Sequence, residues 1–117
     1  MTIDDPRPPF DLEAFDRQTG GDRELGLEVA RMFLEDCPVH MEAIRAAVQG
    51  GDAAGLRATA HALRGAAAFV TAVFVVDAAA HLEALAREGR LHEAAAGVER
   101  LNAAVAQVTP ALRKLEP

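Results

Sequence analysis

The sequence has no tryptophan, no tyrosine and no serine, and five phenylalanines are its only aromatic residues among 117. Without serine there is no serine nucleophile, and the one cysteine, Cys37, has no glycine-rich oxyanion turn beside it, so a nucleophilic triad finds no support. A single cysteine also excludes an internal disulfide and suggests a reducing compartment. Basic residues are few as well: twelve against eighteen acidic ones give a net charge of −6, and no segment concentrates them. Nucleic acid and anionic membrane are therefore poor partners. No apolar run approaches the ~20 residues of a membrane span, and the acidic, proline-bearing start from Met1 to Pro9 is unlike a signal peptide. A cytoplasmic protein is expected.

What the chain does contain is 26 alanines, 9 glycines and a hydrophobic share of 50%, a set that favours close-packed helices over a sheet. The length suits one domain, large enough to bury roughly 65% of its unfolded surface without staples. Residues 1–10 read as a flexible, solvated lead, because Pro6, Pro8 and Pro9 deny a helix interior, and residues 11–117 as the folded domain. Asp11 caps a short helix that ends at Gly20-Gly21 and forms a lid. Asp22 opens a longer one, with Leu25, Val29, Met32, Phe33, Met41, Ile44 and Val48 as its apolar set, ending at Gly50-Gly51. Pro38 falls in its middle and leaves the Leu34 carbonyl without a donor, so a kink or a break is expected there.

Asp52 starts a third helix with the stripe Leu56, Ala60, Leu63, Ala67 and Val70. A fourth runs from about Ala72 to Glu88, with Val76, Ala79, Leu82 and Leu85 inward and Gly89 as its stop. The fifth spans Leu91 to Leu115, and Pro110 disturbs its last turns. The run from Phe69 to Val76 looks like a buried strand when read alone, but it has no partner, so a helix, a turn near Thr71 and a second helix are assigned. Short connections between long helices make an all-α, up-down antiparallel four-helix bundle with a short N-terminal lid helix.

Histidines are the side chains most apt to change charge near neutral pH. On a wheel at 100° per residue with Leu56 at zero, His61 lies at about 140°, away from the core stripe, with Arg57 at about 100°, Arg64 at about 80° and Ala68 at about 120° beside it. Gly65, Ala58 and Ala72 complete a surface with little side-chain bulk, at about 160–200°. An exposed neutral imidazole can attack phosphorus, and a guanidinium one turn away suits phosphate oxygens. An accidental surface histidine on an alanine-rich helix has the same spacing. His40, His81 and His92 lack such a shelf and read as structural or surface residues.

The stretch from Ala60 to Ala68, with His61, Leu63, Arg64 and Gly65 in order, resembles the AH-x-L-K/R-G signature of histidine-containing phosphotransfer domains. Phe33 to Pro38 is similar to that family's FL-x-D-x-P element, Gly51-Asp52 to its turn before the active helix, and His81-Leu82-Glu83 to its x-LE element. The resemblance implies a phosphorelay intermediate with no autonomous catalysis. His61 would accept a phosphoryl group on Nε2 from a receiver-domain aspartate or a histidine kinase and pass it to a response-regulator aspartate. Arg64, with Arg57, would stabilise the phosphoryl group, and Gly65, Ala58, Ala68, Phe69 and Ala72 would form the docking surface. It also implies that Mg²⁺ belongs to the receiver, with no cofactor or metal on this chain, and that the partners are receiver domains and hybrid or sensor kinases. A monomer is expected, and Met1 with its polar lead leans toward a free-standing protein.

The chain departs from the family pattern where Asn is usual eight residues after the histidine and Gly ten after it; Phe69 and Thr71 stand there, and Ala66 replaces a frequent Ser. Phe69 either packs under a neighbouring helix or contacts a partner, and Thr71 removes the expected helix stop. A di-metal bundle is unsupported, because the residues three before each histidine are Cys37, Ala58, Ala78 and Gly89 rather than glutamate. Cys37-x-x-His40 is at most half of a zinc site. The rival reading is a phosphorylation-incompetent helical adaptor, or a dimerising module that uses Phe69 and Phe74.

Overall fold

Three aspartates begin three of the helices. The computed structural model describes residues 6–116. In it Asp11 accepts a hydrogen bond from the Ala14 N–H at 3.0 Å and starts α1, Leu12–Gln18. Asp22 accepts from Leu25 at 3.1 Å at the head of α2, Arg23–Gln49, and Asp52 from Gly55 at 2.8 Å at the head of α3, Ala53–Phe69. Such caps satisfy backbone donors that the first turn leaves free. α4, Val73–Arg87, follows without a side-chain cap, and a 3-10 turn at Leu91–Glu93 leads into α5, Ala94–Arg113. Among the described residues there is no strand, so the apolar run through Phe69 and Val76 is helix, turn and helix.

The long helices pack in a ring in which α2 meets α3, α3 meets α4, α4 meets α5 and α5 returns to α2. With short loops this is the up-down antiparallel bundle. The stripe Leu56, Ala60, Leu63, Ala67 and Val70 is buried as the periodicity requires. In α4 the buried face is wider than expected and takes in Val75, Ala78 and Glu83, while Val76 is only half-buried. At Gly97 an added Cβ would come within 2.7 Å of Leu82 Cδ2, so glycine lets α5 close on α4. In α2, Leu25 and Met32 do not join the inward set; they are exposed, because the core side of that helix is centred on Phe33, Cys37, Met41 and Ile44.

α2 runs unbroken through Pro38, so the helix does not stop there. Likewise α5 continues past Pro110 to Arg113. The end of α3 is preserved despite the missing glycine, because Thr71 itself takes the left-handed backbone, at φ 57°. For a β-branched residue that conformation costs on the order of 1–2 kcal/mol. Its surroundings hold it: the Thr71 hydroxyl donates to the Asp11 carbonyl at 2.7 Å, and the Asp11 N–H donates to the Thr71 carbonyl at 3.2 Å. α1 is thereby tied to the α3–α4 turn. Of the expected lead, residues 1–5 lie outside the described residues; Arg7 pairs with Asp77 at 2.8 Å and stands 5.4 Å over the Phe74 ring.

Cys37 is 4% exposed, and burial, helped by the Asp36 charge, pushes its thiol up to about 11. It is a small core residue.

Leu63 is wholly buried two residues after His61, on the opposite side of α3. Leu63→Ala is expected to lower unfolding free energy by about 2–5 kcal/mol in a denaturant titration, through lost transfer energy and the cavity left behind. An unchanged midpoint would show that this stripe does not face the core.

Candidate functional site

His61 sits in the middle of α3 with 65% of its side chain exposed. Its Nδ1 lies 2.9 Å from Oε2 of Glu83, which projects from α4 with a side chain only 11% exposed. Arg64, one turn further along α3, places Nε 2.8 Å from Glu83 Oε1 and Nη2 3.0 Å from His61 Nδ1. The Arg64 Nε is buried and has no aligned hydrogen-bond acceptor, so its contact with Glu83 is an ion pair in which charge, not directionality, dominates.

A carboxylate can only accept a hydrogen bond and a guanidinium can only donate one, so a single Nδ1 cannot serve both. With Nδ1 protonated, the ring donates to Glu83 and every charged group has an opposite neighbour. With Nδ1 bare it would accept from Arg64 Nη2 at 3.0 Å, but its lone pair would then also face a carboxylate oxygen at 2.9 Å. The first arrangement is therefore the stable one, and it leaves the lone pair of a neutral ring on Nε2. Burial alone would push the Glu83 carboxyl up. The His61 hydrogen bond and the Arg64 charge outweigh it and hold the group below the usual carboxylate range.

Around the ring the surface is bare. A Cβ added at Gly65 would meet nothing within 4 Å, so no packing contact requires glycine there. Ala58 and Ala68 are exposed, and Phe69 is 41% exposed. Arg57 is exposed one turn before His61 and stands outside the hydrogen-bond network. Ala72 must be corrected: it is fully buried and cannot line a docking surface. α3 ends at Phe69, so a wheel extended to residue 72 assigns it a direction that the backbone has abandoned. Of the other histidines, His81 and His92 are exposed and His40 is half-buried, each away from this cluster. Among the described residues no group of three or more His, Cys, Asp or Glu side chains is placed to hold a metal ion. Nor is any helix there long and apolar enough to cross a membrane.

Glu83 is the site residue that the reading of α3 alone does not supply. Its signal was a carboxylate on the otherwise apolar buried face of α4, between Leu82 and Leu85. Such a group needs a partner, and antiparallel packing brings it to His61.

The bundle thus presents an outward imidazole that is held from behind by a nearly buried carboxylate. The family model of the Hpt domain matches residues 28–111, and the chain belongs to that family. The crystal structure of histidine-containing phosphotransfer protein B from Pseudomonas aeruginosa PAO1 is similar to it, with a TM-score of 0.86 and 27% identity over 92% of this chain and 93% of that one. No curated protein matches the sequence. Hpt proteins are phosphotransfer carriers of two-component phosphorelays, and they interact with receiver domains and histidine kinases.

Because the folded Glu83 carboxyl is held below its unfolded value of about 4.5, its stabilising contribution is full above that pH and is lost as the pH falls through the lower folded value. Glu83→Gln is therefore expected to flatten the acid limb of the stability curve below about pH 4.5 relative to wild type, read by circular dichroism melts. Parallel acid limbs would show that the pair carries no linkage.

Proposed function

We propose that His61 is the phosphoacceptor of this chain, by its Nε2, and that the group arrives from a receiver aspartate or a histidine kinase and leaves to a response-regulator aspartate. The observation that carries this reading is the 2.9 Å contact of Nδ1 with Glu83 on a side chain that is 65% exposed. In the forward step the Nε2 lone pair forms a bond to phosphorus while the bond from phosphorus to the aspartyl oxygen breaks, and the carboxylate leaves with that electron pair. The ring becomes a phospho-imidazolium, still protonated at Nδ1. Glu83 then offsets the positive charge and holds that proton in place. A ring protonated at Nδ1 is a good leaving group, so the same contact keeps the phosphoryl group transferable in the return step, when an aspartate oxygen attacks phosphorus and the bond to nitrogen breaks.

Arg64 stands beside the acceptor on the side of Glu83, and its outer nitrogens are the donors within reach of phosphoryl oxygens; Arg57 supplies a second positive charge one turn away. Gly65, Ala58 and Ala68 leave room for the partner's acidic pocket, which in this reading also carries the Mg²⁺. Phe69, exposed rather than buried, belongs to the contact surface. The 11–117 segment is the carrier domain, and the cytoplasm is its expected place of action.

Two measurements test the proposal. Wild type incubated with an acetyl-phosphate-charged receiver is expected to gain acid-labile, base-stable phosphate, and His61→Gln none. A receiver that binds and transfers nothing would favour the adaptor reading. Arg64→Ala is expected to slow transfer about tenfold or more and, because it takes from the nearly buried Glu83 one of its two partners, to lower the melting temperature as well, so transfer is compared at a temperature where a circular dichroism melt shows both proteins folded. Equal rates would remove Arg64 from the phosphoryl site.

A further inference from the structure

The seam between α2 and α5 closes the ring of helices on the side opposite the α3–α4 seam, where His61, Arg64 and Glu83 meet. Two contacts give its register. Arg45 donates to Asn102 at 3.3 Å and Arg31 pairs with Glu116 at 3.4 Å, so each step forward along α2 is matched by one step back along α5. In that register Arg113, the last residue of α5, falls opposite Leu34.

Between those two contacts the helices leave an open groove of about 280 Å³. Its apolar lining is Leu34, Cys37 and Met41 from α2 and Val105 from α5. Arg45 and Asn102 stand at one end and Arg113 at the other, with Pro38 and Thr109 between them. Leu34 and Arg45 are about three helical turns apart, so the two guanidinium-bearing positions lie roughly 16 Å from one another along the axis.

The polar groups of this groove have donors to spare. Arg113 has no ion-pair or hydrogen-bond partner among the described residues. Asn102 accepts from Arg45 through Oδ1 and keeps its amide hydrogens, while the Thr109 hydroxyl spends its proton on the Val105 carbonyl at 2.7 Å. Arg45 is approached by Glu42 at 3.7 Å, from a side chain that is 80% exposed. No Asp or Glu lines the groove, in a chain that carries eighteen of them. The hollows at the foot of α1, on the outer side of α2 and beside Arg7 each include at least two carboxylates.

We infer that this groove is a second docking surface and that its occupant is an acidic amphipathic helix of a partner protein. A groove between two helices takes a third, whose apolar ridge of about three turns covers Leu34, Cys37, Met41 and Val105. Asp or Glu near the two ends of that ridge meets Arg113 at one end and Arg45 with Asn102 at the other, in charge-assisted hydrogen bonds. A basic helix of the same shape would set like charge against both guanidiniums, so the groove selects by charge as well as by fit. Because the groove and the imidazole lie on opposite sides of the ring, the occupant leaves His61 open, and a partner held here and one docked at the histidine are bound together. The inference does not depend on whether His61 carries phosphate.

The probe is a stapled helical peptide of about 15 residues with a leucine ridge and glutamates near both ends, paired with a version in which lysine replaces each glutamate. Chemical-shift mapping on the full chain is expected to move the amides around Leu34 to Arg45 and Asn102 to Arg113 and to leave those of His61 and Gly65 in place. Fluorescence anisotropy is expected to find the glutamate version bound about tenfold tighter at low salt, with the gap closing as salt is added. Arg113→Gln, which breaks no contact of the folded chain, is expected to weaken the glutamate version about threefold or more. The double variant R45E/R113E, checked for an unchanged melting temperature, is expected to prefer the lysine version. Equal affinity for the two peptides, shifts centred on His61, or no binding overturns the inference. A dimer in sedimentation equilibrium that R45E/R113E disperses overturns it as well, because a second copy of this chain then fills the groove.

Discussion

The contact on which the site depends is the one that α4 makes across its seam with α3. Both helices face that seam with alanine between larger residues: Ala60 and Ala67 on one side, Ala78, Ala79 and Ala86 on the other, all buried. Small side chains let two backbones come close, and closeness lets a glutamate on α4 reach an imidazole whose Cβ points away from the core. Glu83 is held on both sides, by a hydrogen bond with the ring and by the charge of Arg64. Without those partners, a carboxylate on the inner face of α4 would be left with a desolvation cost and nothing to offset it. The same contact that orients the ring thus makes the α3–α4 seam tolerate a buried acid.

Much of the fold was legible in local chemistry. Each aspartate placed before an apolar period proved to be a cap, and the stripe through Leu56, Leu63 and Val70 is the core side of α3. These signals lie within a few residues of one another, where backbone geometry alone decides the outcome. The site was legible to the extent that it lies on one helix: the exposure of His61 and the bareness at Gly65 follow from the wheel. Glu83 was not, because its relation to His61 depends on the rotational phase of α4 against α3, across 22 residues of chain. Ala72 was misplaced for a related reason, since a wheel says nothing about where its helix stops. Leu25 and Met32 share an approximate period with core residues of α2, and only packing separates the flank from the centre.

The departures from the family pattern have physical answers in the structure. Thr71 performs the turn usually given to glycine by accepting an unfavourable φ and recovering two bonds with Asp11. The end of α3, and with it the shelf around His61, therefore leans on α1, which otherwise covers the foot of the bundle with the Phe15 ring against Gly26. Phe69 lies where a small polar residue is usual and remains 41% exposed.

The seclusion of Cys37 has a practical corollary. Its sulfur is packed inside the bundle and stays a thiol at neutral pH, so alkylating or maleimide reagents meet almost no thiolate there. A second cysteine introduced on the outer surface would be the one thiol that such reagents find. A fluorophore or spin label could therefore be mounted at a chosen distance from the imidazole in an otherwise native chain, with the original sulfur left in place.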